Sequence, residues 1–346
     1  MVAVLALAGV LVALELRVVL RAEAPRRHRE GGATSSVTAS SRASTPPAAP
    51  APAANESDAA TAFRDLHFSW SSSPSGLGRL ARAEGNAEGP AAFAAHAEGD
   101  ALIVDGVNGR LVLVSTTGDL RTVAAPLTAI QDATALPGRG FALLDRLVDR
   151  AVVLVDGDGK TFAKVPLPPR AGDPGLVTGV FASGDLVCVE REHGACVPIA
   201  TVKGEPPPSE REIPGRLASD GKSVLHAGIV APGSARVSVA RGEASPFVHR
   251  YTRELTFAGP VRSLEFLDAN AAGELYVGVV LEDSPASVVV LCLAVASGAE
   301  IGRQEVPASP LPDEVTRGFA VVPSGGFLAL QRTVDGADLR RYRCAP

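Results

Sequence analysis

The chain has 346 residues, 46% of them apolar, and a formal net charge of −5. That length buries a large core in a single all-β domain, and the acidic balance supplies no basic field for a nucleic-acid backbone, which argues against that class of partner. Thirty-five glycines and 27 prolines against 4% aromatic residues favour many turns and short strands over long helices.

Residues 1–24 open with MVAVLALAGVLVALELRVVL, an apolar run from Val2 to Leu14 followed by Glu15 and Arg17 and then Val18 to Leu20. As a helix, twenty residues span about 30 Å, the hydrocarbon thickness of a bilayer, so the segment reads as a membrane anchor. Its thirteen-residue apolar core and Ala22-Glu23-Ala24 also suit a cleaved signal segment, against which Pro25 stands. The arginines at 17, 21, 26, 27 and 29 follow the run, and the positive-inside rule alone would keep the rest of the chain cytoplasmic. Residues 25–60 are Ser/Thr/Ala/Pro-rich and too poor in bulky apolar side chains to fold, so they read as a disordered tether. A long tether is a common feature of exported proteins and favours a bacterial inner-membrane protein with its domain, residues 61–346, in the periplasm.

The segment DALIVDGVNGRLVLVSTTGDL, residues 100–120, alternates apolar runs with tight turns, and residues 140–160, GFALLDRLVDRAVVLVDGDGK, repeat the phrase. Aligning the turn between two short apolar runs gives six units, with turns at Gly99-Asp100, Gly138 to Gly140, Gly184-Asp185, Asp220-Gly221, Gly273-Glu274 and Gly325-Gly326. Spacings of about 40 to 50 residues suit a radial array of four-stranded units. Strands are predicted at 102–104, 111–114, 152–155, 276–281 and 288–294, all rich in Val, Ile or Leu and bounded by Gly, Asp or Pro. Each unit shows three strands, and no long segment after the tether carries helical periodicity.

LIVDGVNGRLVLVSTTGDL resembles an NHL-type repeat, in which an Asp ends one strand and an Asn-x-Arg opens the next. Asp105, Asn108 and Arg110 fit that pattern, and Asp145 with Arg150 repeats the Asp-x4-Arg spacing. The third unit has Glu190 with His193-Gly194, and the last three keep only the strand rhythm. The resemblance implies a β-propeller, and the six aligned turns give it six blades. Asp105, Asn108, Arg110, Asp145 and Arg150 are expected to be structural: a carboxylate at a strand end accepts turn amides and pairs with an Arg on the next strand.

Candidate chemistry is sparse. The six histidines are scattered at 28, 67, 96, 193, 226 and 249 without metal-ligand spacing, and Asp156-Gly157-Asp158-Gly159-Lys160 lacks the later acidic ligand of a calcium loop and reads as a hairpin turn. No nucleophile elbow, phosphate-binding loop or dinucleotide fingerprint occurs. No catalytic, cofactor-binding or metal-binding residue is therefore assigned, and no cofactor is expected. Cys188 and Cys196 flank a turn in LVCVEREHGACV and face each other on paired strands, a possible disulfide. Cys292 and Cys344 fall on the third strands of successive units, where a blade spacing is expected to keep them apart.

The last unit has room for three strands, about 318–322, 327–332 and 338–344, while FRDLHFSW at 63–70 is an orphan strand ahead of the first unit. It is expected to pair beside 338–344 and close the ring. These features point to a membrane-tethered propeller that binds or scaffolds another protein, an envelope component or a ligand. The resemblance also implies an alternative, an extracytoplasmic metal-dependent lactonase- or lyase-like enzyme with a site on the propeller axis.

Overall fold

A computed structural model describes residues 65–344 except 83, 85, 97–99, 139, 245–246 and 312–314. The expected anchor (1–24) and tether (25–60) lie outside the described residues. β1 (Leu66–Ser69) comes first. Four strands then make each blade: β2 (Phe93–Ala95), β3 (Ala101–Asp105), β4 (Arg110–Val114) and β5 (Leu120–Ala124) in blade 1, and β6 (Asp132–Leu136), β7 (Gly140–Asp145), β8 (Ala151–Val155) and β9 (Thr161–Pro166) in blade 2. Blade 3 has β10 (Val177–Ser183), β11 (Leu186–Arg191), β12 (Ala195–Thr201) and β13 (Ile213–Pro214), and blade 4 has β14 (Arg216–Leu217), β15 (Ser223–Ile229), β16 (Arg236–Ala244) and β17 (Phe247–Thr256). Blade 5 has β18 (Val261–Ala269), β19 (Glu274–Leu281), β20 (Ser284–Ala294) and β21 (Glu300–Pro307), and blade 6 supplies β22 (Phe319–Val321), β23 (Phe327–Arg332) and β24 (Gly336–Tyr342).

Five sheets run in sequence order, and the sixth runs β22, β23, β24 and then β1, so the first strand of the described chain completes the last blade. The first strands β2 and β22 touch, which closes the circle. The chain is a six-bladed β-propeller.

Each blade packs face to face with two neighbours, which buries its middle strands on both faces. β3, β7 and β8 are buried along their whole length, and their sequences ALIVD, GFALLD and AVVLV are correspondingly near-continuous apolar runs. Outer strands meet solvent on one side, so β17 reads FVHRYTRELT and is mostly exposed. This polarity hid a fourth strand in each of the first five units, where the sequence shows three. The expected turns all join a first strand to a second; Gly99, in the first of them, lies outside the described residues. Gly326 shows why glycine is needed there: its φ is 80°, and a Cβ would come within 2.4 Å of the Tyr342 carbonyl oxygen. Among the described residues helix is limited to two single-turn 3₁₀ segments, Pro169–Ala171 and Pro174–Leu176, and none is long and apolar enough to cross a membrane.

The closing strand pairs antiparallel with β24 from Leu66↔Leu339 to Ser69↔Gly336. Of the 63–70 expected, Phe63 and Arg64 lie outside the described residues, Asp65 precedes the strand, and Trp70 bridges Leu77 and donates its Nε1 proton to the Thr333 carbonyl at 3.0 Å. Because β24 runs toward the face that carries the turns between first and second strands, the antiparallel β1 starts from that face. The described chain therefore begins on that face.

Cys188 and Cys196 are bonded, with Cα atoms 5.7 Å apart on β11 and β12. Cys292 and Cys344 are bonded too, at 6.2 Å, contrary to the expectation from blade spacing. Cys344 lies beyond the end of β24, so the sheet does not fix its distance from blade 5, and it packs into the same apolar cluster as Cys292, Tyr276 and Phe327.

Candidate functional site

Four regions concentrate polar or concave features: the corners between second and third strands, the axis, and two grooves on the face that carries the turns between first and second strands. In blade 1, buried Asp105 ends β3. It accepts hydrogen bonds from Asn108 Nδ2 (2.8 Å), Arg110 Nε (2.7 Å) and the backbone N–H of Gly78 (2.9 Å). The remaining donors of Arg110 reach the carbonyls of Ser72, Ser73 and Gly76, and Asn108 also reaches Ser71. The three residues thus hold the segment that leads from the closing strand into blade 1.

In blade 2, Asp145 is equally buried but accepts only backbone N–H groups, from Ala129, Leu147 and Val148. Arg150 is exposed, with φ at +49°, and no ion pair joins it to Asp145. The equal spacing of the two units does not give equal contacts, because the turn has four residues in blade 1 and five in blade 2: Arg110 opens its strand opposite Asp105, whereas Ala151 stands opposite Asp145 and Arg150 stays in the turn, in the left-handed region. Blade 3 keeps the acidic position as Glu190, which accepts from Thr178 and pairs with Arg216 (2.9 Å) and His193 (3.3 Å). Burial works against ionisation of Glu190, but Arg216, His193 and Thr178 outweigh it and hold the carboxyl far below its ordinary range.

On the axis, Arg317 reaches from the entry to blade 6 across to blade 2, where its Nε and Nη2 grip both oxygens of Asp132 at 2.8 Å; Nη2 also donates to the Val180 carbonyl of blade 3. Phe181 lies under two guanidinium groups, Arg317 at 4.6 Å and Arg216 at 4.7 Å from its ring centroid. Arg216 donates as well to the Leu267 carbonyl of blade 5. Asp268, buried on β18, accepts from the backbone and hydroxyl of Ser219 and from Ala269; burial raises its pKa despite these bonds. These side chains stand over an axial cavity of about 180 Å³ to which every blade contributes, among them Ala95, Ala133, Ala182, Ser219, Asp268 and Ala320.

A groove of about 590 Å³ between blades 1 and 2 carries Asp100, Asp119, Arg121, Asp156 and Asp158. The Asp156 carboxylate accepts the N–H groups of Asp158 and Lys160, as a hairpin turn requires, and Arg121 pairs with Asp158. A second groove, about 480 Å³ between blades 3 and 4, is more apolar, with Leu186, Pro208, Ile213, Leu217 and the half-exposed Phe247. Among the described residues no group of three or more His, Cys, Asp or Glu side chains is placed to hold a metal ion.

No family model matches the sequence, and no curated protein does. Similar solved structures include Kuenenia stuttgartiensis hydrazine synthase, at 15% identity over 70% of this chain and 76% of that one, with a TM-score of 0.46. Virginiamycin B lyase from Staphylococcus aureus matches at 11% identity, 82% and 88% coverage and a TM-score of 0.41. BamB from Moraxella catarrhalis matches at 13%, 74% and 86%, with a TM-score of 0.35. These likenesses concern the fold, with which the NHL-type resemblance is compatible.

The axial residues Asp132, Arg216, Asp268 and Arg317 were not legible as a group in the sequence. They come from four blades and separate stretches of chain, and no local spacing links them. The available signal was a charged residue on the first strand of a unit, as with Asp132, Arg216 and Asp268, or just ahead of it, as with Arg317, where the strand rhythm calls for small or apolar side chains.

Proposed function

We propose that this chain is a membrane-tethered propeller that binds another protein or an envelope component through the face that carries the turns between first and second strands. The groove between blades 3 and 4 carries this reading: it is concave, mainly apolar, and rimmed by Phe247, which is 45% exposed on the outer strand of its blade. The polar groups at the corners are committed to one another and to backbone, and we take Asp105, Asn108, Arg110 and Asp145 as structural groups. Phe247→Glu should abolish capture of the partner by the detergent-solubilised full chain while leaving the melting transition in place. Unchanged capture would remove the groove from the proposal.

The same proposal places the propeller in the periplasm, anchored by residues 1–24. Pairing of all four cysteines supports an oxidising compartment. An alkaline phosphatase fusion after Ala60 should be active, and a reporter that works only in the cytoplasm should be silent at the same point; the opposite pattern would establish the cytoplasmic orientation that the arginine distribution favours.

A further inference from the structure

We propose that the axial cavity binds a small zwitterion, an α-amino acid of the size of glycine or alanine, whose carboxylate meets Arg317 and whose ammonium group meets Asp268. This goes beyond the protein-binding reading and concerns a different part of the molecule. At about 180 Å³ the cavity is far larger than the roughly 15 Å³ that admits one water.

Small side chains, among them Ala95, Ala133, Ala182 and Ala320, share its walls with the bulkier His96 and Leu136. Its charged lining residues are Arg317 and Asp268. Arg317 commits Nε and Nη2 to Asp132 and Val180, and Nη1 makes none of these bonds. Asp268 Oδ2 accepts one bond, from Ser219, and retains capacity for another donor. Arg317 and Asp268 both line the cavity, yet no ion pair within 4 Å joins them among the described residues, so opposite charges stand apart in a buried space.

A third group points the same way. Ser183, 9% exposed, also lines the cavity, and its buried hydroxyl has no hydrogen-bond partner. A buried hydroxyl without a partner costs free energy that a ligand can recover. An anion alone would meet the carboxylate of Asp268, and a cation alone would meet Arg317. A molecule with both charges one carbon apart satisfies both ends, and Ser183 supplies a further donor or acceptor. A primary ammonium group is required over a quaternary one, because a hydrogen bond to Asp268 needs an N–H that a quaternary ammonium lacks.

The test is calorimetric titration of the full chain in detergent with glycine, L-alanine, betaine, acetate and methylamine. Glycine or L-alanine should bind saturably, and the other three should not. Ser183→Ala and Asp268→Asn should each weaken binding about tenfold or more, and Ala182→Leu should abolish it by filling the cavity. Melting of each variant without ligand separates lost binding from lost folding, and Ser183→Ala removes only one oxygen. Absence of saturable binding by either amino acid overturns the proposal. So does equal binding of acetate or methylamine, unchanged affinity in well-folded Ser183→Ala and Asp268→Asn, or a crystal soaked in glycine that shows only water on the axis.

Discussion

Arg110 and Arg150 occupy the same place in a repeated phrase and do different work. Arg110 makes a charge-assisted bond to a buried carboxylate and three bonds to carbonyls of the closing segment, whereas Arg150 is exposed. Arg110→Ala should therefore cost about 2 to 4 kcal/mol in urea unfolding, because it strips Asp105 of its cation inside the fold, while Arg150→Ala should stay within about 0.5 kcal/mol. Equal effects would show that spacing and not contact sets the role. Glu190 allows a pH test. Its folded pKa lies below the unfolded value, so the stability it contributes is present above the ordinary glutamate pKa and is lost as pH falls toward the folded one. Glu190→Gln should destabilise at neutral pH, by about 3 kcal/mol since Arg216 loses its partner, and the gap to wild type should narrow on acidification. A gap independent of pH between neutrality and strong acid would contradict that assignment.

At the scale of strands and hairpins, what could be read followed burial. Middle strands, enclosed on both faces, are unbroken apolar runs such as Val152 to Val155 and were legible. Outer strands such as Thr161–Pro166 are mostly exposed and carry a mixed sequence that resembles a loop. Blade 3 ends in a two-residue strand, Ile213–Pro214, reached by a loop containing Pro206 to Pro208, and periodicity offers nothing so short. The Cys188–Cys196 pair was legible because both residues belong to one hairpin. Cys292–Cys344 was not, since a bond between blades depends on where the chain leaves its sheet. On the chain-entropy account, a cross-link closing 52 residues contributes about 4 kcal/mol and one closing 8 about 2 to 3 kcal/mol. Cys344→Ser should accordingly lower the melting temperature more than Cys196→Ser, as read by calorimetry. The reverse order would mean that strain or residual structure, and not loop length, governs these bonds.

The whole ring depends on how its ends are joined. Two ties act at the same seam: β1 adds a fourth strand to blade 6, and Cys292–Cys344 fastens the end of that blade to blade 5. The first was legible because blade 6 lacked a strand and FRDLHFSW lay unused; the second, and the Arg317 tie across the axis, were not. Deleting residues 61–71 removes the ladder to β24, the buried Phe68 and the hydrogen bond from Trp70 to Thr333. At about 1 kcal/mol per net hydrogen bond and 2 to 3 kcal/mol for a buried Phe, the loss is on the order of 5 kcal/mol or more, a melting shift of about 10 °C or more for a domain of this size. The disulfide should limit the damage, because blade 6 stays fastened to blade 5 after the strand is gone. Combining the deletion with Cys344→Ser should then cost more than the sum of the two changes, since blade 6 loses both the strand that completes its sheet and its covalent hold on blade 5. A strictly additive result, or a deletion variant as stable as the parent, would show that the seam is held elsewhere, with the Arg317–Asp132 pair across the axis the next tie to remove.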